Sequence, residues 1–107
     1  MEFLYTLKLI PRLQQNDAWT VQDEIIVSEH FEKLKQLKEI GKLILAGRTL
    51  REDPSDFGMV IFRTETEDEA PQLMEGDPSV AQGFMNAELY PYHIALMKGK
   101  KYELTHQ

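Results

Sequence analysis

Two side chains in this sequence could share proton-transfer chemistry, His30 and Asp77. An imidazole whose tautomer is fixed by a carboxylate is a common acid–base unit. His30 falls inside the helical stripe formed by Ile26, Val27, Phe31, Leu34 and Leu37, so it points toward the core or toward a cleft beside it. Asp77 precedes Pro78 at the end of a second helical segment. Two readings stand for each. His30 is either a core histidine satisfied by hydrogen bonds or a reactive group at a cleft. Asp77 is either a turn-forming Asx residue before proline or the partner of that imidazole.

Other polar groups are weaker candidates. Arg48 could hold a carboxylate or phenolate in a bidentate grip, or form a surface ion pair. Tyr5 and Glu88 lie on strands where they could line a pocket for substrate, as could Tyr90, or simply pack in the core and at its rim. His93 and His106 lack carboxylate or histidine neighbours at ligand spacing, so no metal site is expected. No glycine-rich phosphate loop and no nucleophile elbow is present, and no cofactor is implied.

The elements that must position these groups follow from periodicity. Glu2 to Ile10 alternates as a strand, with Phe3, Tyr5, Leu7 and Leu9 on one face, and Pro11 ends it. Arg12 to Trp19 reads as a polar loop. Thr20 with Asp23 approximates a capping box, opening a helix that runs to about Ile40 and stops at Gly41. Lys42 to Leu50 is a second strand and Phe57 to Thr64 a third, both apolar on two faces. Thr66 is the expected cap of a shorter helix, with Glu67, Asp68 and Glu69 in its first turn and Pro71 close behind. Ser79 to Gly83 adds a helical turn, and Phe84 to Leu96 is a last strand that Pro91 confines to an edge or a bulge. A further short strand is conceivable at Tyr102 to Leu104.

The predicted order is βαββαβ, an α+β ferredoxin-like arrangement with an antiparallel sheet and both helices on one face. In that layout the short helix ends near the level of His30, which would bring Asp77 to it. Helices on one side leave the other face of an apolar sheet uncovered, so the sheet is expected to pack against a second copy, unless the C-terminal tail folds over it. The chain reads as a single domain over residues 1–107, with a core at about 2–96 and a tail at 97–107.

Composition narrows the function classes. The net charge is −6 and the lysines at Lys98, Lys100 and Lys101 form only a short tail, which sets nucleic-acid binding aside. With no cysteine, disulfides and thiolate chemistry are excluded. Neither a secretory leader nor a run of about 20 apolar residues is present, so a soluble cytoplasmic protein is expected.

The strings EHFEKLKQLKEIGKLILAGRTL, FGMVIFRTETEDEA and MEGDPSVAQGFMNAELYPY together resemble the YciI (YCII-related) family. The DPSVAQG string with an upstream histidine carries most of that likeness. The resemblance implies a dimeric ferredoxin-like fold and an active site built on His30 and Asp77. It is similar to families whose members perform lyase or isomerase chemistry, including dehydrochlorination of a chlorinated aromatic. Two functions compete: a cofactor-independent enzyme acting on a small anionic or phenolic molecule, and a non-catalytic dimeric module that binds a small ligand or a protein.

Overall fold

The computed structural model describes residues 1–14 and 18–98. Its elements are β1 (Glu2–Leu9), a 3-10 turn (Pro11–Gln14), α1 (Val21–Glu39), β2 (Leu43–Arg48), β3 (Gly58–Arg63), α2 (Glu69–Glu75), α3 (Pro78–Ala81) and β4 (Met85–Tyr92). The four strands form one sheet in the order β2-β3-β1-β4, and every neighbouring pair is antiparallel. This is the α+β ferredoxin-like arrangement predicted from the sequence. The expected strand at Tyr102 to Leu104 and the residue His106 lie outside the described residues.

Register separates the two sheet faces. Tyr5 pairs with Val60 and Leu89, and Phe3 with Phe62 and Pro91, so these residues share one face. That face packs with Leu34 and Leu37 of α1 and with Ala70 of α2 in the main core. Leu4, Ile61 and Leu45 pair across the opposite face, next to Tyr90. Pro91 sits on β4, an edge strand, where a missing backbone donor is tolerated.

The ends of α1 are set locally. The hydroxyl of Thr20 accepts from the Asp23 amide at 3.2 Å, and the Asp23 carboxylate accepts from the Thr20 amide at 2.9 Å, completing the capping box. At the other end Gly41 has φ +81, which lets the Lys42 amide reach back to the Leu37 carbonyl at 2.9 Å.

Three local expectations need correction. The segment after β1 is not simply a polar loop. Its 3-10 turn buries Leu13, which packs with Ile26 and Phe84 in a second core cluster. The Trp19 indole closes that cluster by donating to the Leu13 carbonyl at 2.8 Å and standing edge-on to Phe84. Phe31 is not on the buried stripe of α1: it is 56 % exposed, and the buried positions are Asp23, Ile26, His30, Leu34 and Leu37.

Thr66 does not cap α2. The helix starts at Glu69, after Asp68, and the Thr66 carbonyl instead accepts from the Thr64 hydroxyl. Pro71 explains the shift. A helix starting after Thr66 would put Pro71 fifth, where its missing donor and its ring both conflict with the Glu67 carbonyl. Starting at Glu69 makes Pro71 the third residue, where no intrahelical donor is needed. Among the described residues, no helix is long and apolar enough to cross a membrane.

Candidate active site

His30 sits at the middle of α1 with its ring turned inward. The helix that carries it is anchored by Asp23, whose carboxylate receives both terminal nitrogens of Arg12 at 3.0 Å while also serving the capping box. That bidentate grip holds the Asp23 carboxyl well below the usual carboxylate range, with the Thr20 amide adding to it.

Asp77 comes from the other side, at the junction of α2 and α3. It is the N-cap of α3, and its Oδ1 accepts from the Ser79 amide at 3.0 Å. Pro78 occupies the first helical position, where its fixed φ suits the turn. This cap aims the carboxylate at α1. Nδ1 of His30 lies 2.8 Å from Oδ1 and 2.9 Å from Oδ2. Oδ1 also accepts from the Ser79 hydroxyl at 2.9 Å, and Oδ2 accepts from the Tyr5 hydroxyl at 2.7 Å. The structure therefore brings together His30, Asp77, Tyr5 and Ser79 from α1, α3 and β1.

The electrostatics of the cluster are one-sided. Burial of Asp77 pushes its carboxyl upward, but hydrogen bonds from His30 and Tyr5, the charge of His30 and the Ser79 amide together outweigh this. The net result is a pKa below the ordinary carboxylate value, so Asp77 is ionised at neutral pH. Burial, and after it the adjacent Asp77 charge, drives the Tyr5 phenol far above its ordinary value. Tyr5 is thus a permanent donor and Asp77 an acceptor only. Nδ1 of His30 must then carry a hydrogen, which leaves Nε2 as the free nitrogen of the neutral ring. Among the described residues Nε2 has no hydrogen-bond partner.

His30 also forms part of the wall of a cavity of about 810 Å³ between α1, the helix-side face of the sheet and the loop after β2. Its apolar lining includes Leu7, Val27, Leu34 and Val60, with the aromatic rings of Trp19, Phe31 and Phe57. Asp77, Tyr5 and Ser79 stand behind His30 and line none of it. The cavity has an aromatic and apolar wall that includes the His30 ring, and an arrangement of this kind can bind a small molecule and move a proton.

The remaining predicted residues divide. Arg48 lies on the cavity wall, on the same sheet face as Gly58 and Leu7, and its guanidinium is 3.6 Å from the Asp56 carboxylate. Tyr5, expected as a pocket-lining group, is fully buried and its hydroxyl is committed to Asp77. Glu88 pairs with Thr6 on the opposite face of the sheet and accepts from Tyr90 at 2.8 Å, so it is not part of this constellation. Sequence reasoning missed Ser79 and the hydrogen bond of the buried Tyr5 to Asp77. A tyrosine alternating with Phe3 and Leu7 on a core face was the available signal, because its hydroxyl must find a buried partner. Among the described residues no group of three or more His, Asp or Glu side chains could hold a metal ion.

The comparisons agree with this picture of the fold. The profile of the YCII-related domain matches residues 1–93, and the chain belongs to that family. No curated protein matches the sequence. Among solved structures, the chain is similar to 5-chloro-2-hydroxyhydroquinone dehydrochlorinase from Burkholderia phenoliruptrix in complex with 2,5-dihydroxybenzoquinone. The TM-score is 0.65 at 23 % sequence identity, covering 87 % of this chain and 94 % of the other.

Proposed function

We propose, taking membership of the YCII-related family as the premise, that this chain is a cofactor-independent enzyme that performs acid–base chemistry on a small phenolic or anionic molecule. The observation that carries the reading is the Nδ1 contact of His30 with Asp77, at 2.8 Å, on a ring that also forms part of an aromatic cavity wall. In this reading Nε2 accepts a proton from a hydroxyl or an acidic carbon of the bound molecule. The electron pair released either expels a leaving group, as in a lyase, or moves the double bond and takes a proton back at another carbon, as in an isomerase. Asp77 keeps the ring in the required tautomer and stabilises the imidazolium that forms. Arg48 on the same wall faces the negative charge of the substrate. The likeness to a dehydrochlorinase of a hydroxylated aromatic supports a substrate of that kind. The uncovered sheet face supports a homodimer as the working unit.

The test is turnover of a panel of chlorinated and unchlorinated hydroquinones and phenols by the wild type and by His30→Gln. A general base contributes about 10²- to 10⁴-fold, and a loss of that order at unchanged thermal stability is expected. Retained turnover in His30→Gln would end the acid–base reading. Saturable binding of panel members without turnover by either protein would favour a non-catalytic binding module instead.

A further inference from the structure

We propose that Tyr5 is the positioning residue of the His30–Asp77 pair: its phenol locks the Asp77 carboxylate in the orientation that presents both oxygens to Nδ1. The inference rests on the acid–base reading of His30, and concerns how the ring is aimed. A carboxylate at the tip of a short cap can rotate about its terminal bond, and a rotated carboxylate would offer Nδ1 one oxygen at poorer geometry. Three fixed donors prevent this. The Ser79 amide and hydroxyl hold Oδ1 at 3.0 and 2.9 Å, and the Tyr5 hydroxyl holds Oδ2 at 2.7 Å.

Tyr5 is suited to the task because its ring is packed inside the core. It is fully buried on β1 between Val60 and Leu89, and its ring stands edge-on to Phe62 at 5.7 Å. The aiming of a group on α1 by a cap on α3 is thus referred to the centre of the sheet. This also explains why a phenol occupies a core position where Phe3 and Leu7, its neighbours on the same face, are apolar. A second consequence follows for the proton. The four donors on its two oxygens stabilise Asp77 as an anion, so a proton taken up at Nε2 stays on the ring. The titratable groups acting on Asp77 are His30 from α1 and Tyr5 from β1.

Tyr5→Phe removes one oxygen and keeps the packed ring. Nitrogen and carbon NMR of labelled protein reads the site without any substrate. In the wild type the neutral His30 ring is expected as a single Nδ1–H tautomer. In Tyr5→Phe, Asp77 is still an acceptor and the ring keeps the Nδ1–H tautomer. We expect the Nδ1–H resonance to move as the carboxylate rotates away from it, and the Asp77 carboxyl titration to be displaced upward by about one pH unit, on the scale of one hydrogen bond to a charged group. The melting transition monitors folding, and Ser79→Ala, which removes a side-chain donor from the other oxygen, is the comparator. An unchanged Nδ1–H resonance and an unchanged Asp77 titration in a folded Tyr5→Phe protein would overturn the proposal. If His30→Gln abolishes turnover while Tyr5→Phe leaves both signals in place, this inference fails and the acid–base reading stands. The converse pattern rejects the acid–base reading and keeps Tyr5 as the residue that orders the pair.

Discussion

At the scale of single residues, the site is a problem in satisfying one buried anion. Asp77 is 1 % exposed, and an isolated carboxylate there would be strongly disfavoured. Four donors make it tolerable, and they also fix the direction of its pH dependence. Its native pKa lies below the ordinary value, so the unfolded chain binds the proton more readily. The stabilisation is therefore complete above the unfolded pKa of about 3.9 and is lost as the pH falls through the lower native value. Asp77→Asn should lower stability at pH 7 by about 1–3 kcal/mol, because the amide presents a donor to a pocket of donors. The same variant should lose less stability than the wild type between about pH 4 and the acid transition. Urea unfolding at several pH values measures both, and parallel curves for the two proteins would contradict the assignment. The meeting of His30 and Asp77 was partly legible in the sequence, since helical spacing turns His30 inward and the βαββαβ order brings the end of the second helix toward it. The donor from Tyr5 was hidden, because a tyrosine on the core face of a strand looks like packing until its hydroxyl is given an address 72 residues away in sequence.

At the scale of elements, legibility follows the range of the interaction. The start and stop of α1 were readable because Thr20, Asp23 and Gly41 act within a few residues of themselves. The start of α2 was misread at Thr66, because the constraint imposed by Pro71 outweighs a good capping residue. The 3-10 turn was missed because its buried residue, Leu13, is a single apolar side chain in a polar stretch, and periodicity needs several. Its packing against Ile26 and Phe84 is long-range information. Phe31 was assigned to the core because it falls near the stripe by angle. The helix is instead rotated so that His30 takes the inward position and Phe31 borders the cavity, its ring 5.4 Å from that of His30. The capping box gives this scale its own prediction. Thr20→Ala should lower stability by about 1 kcal/mol. Because the same turn holds Asp23 in place for Arg12, the amides of the first turn of α1 should also exchange faster with solvent. Hydrogen exchange resolved by residue checks this, and protection unchanged in residues 21–26 would show that Arg12 alone secures the helix start.

At the scale of the whole molecule, the sheet has one face too many. The helices cover the side bearing Phe3, Tyr5 and Phe62, while Leu45, Tyr90 and Tyr92 remain 50, 44 and 43 % exposed. Ile94, just beyond β4, is buried, yet these three side chains remain in contact with solvent. Apolar surface of this kind suits a two-fold interface, in which each sheet supplies the same patch to the other. A stable interface buries about 800 Å² on each partner. The expected outcome is a particle with the mass of two chains in light scattering at micromolar concentration. Leu45→Lys places a charge in the patch on an already exposed side chain, so it should shift the particle toward one chain without lowering the melting temperature of the monomer. Glu32→Lys, on the solvent side of α1, serves as the control and should leave the mass unchanged. A wild-type chain that stays single at these concentrations would mean that the open face is tolerated in water, and the cavity of about 810 Å³ would then have to function within one chain.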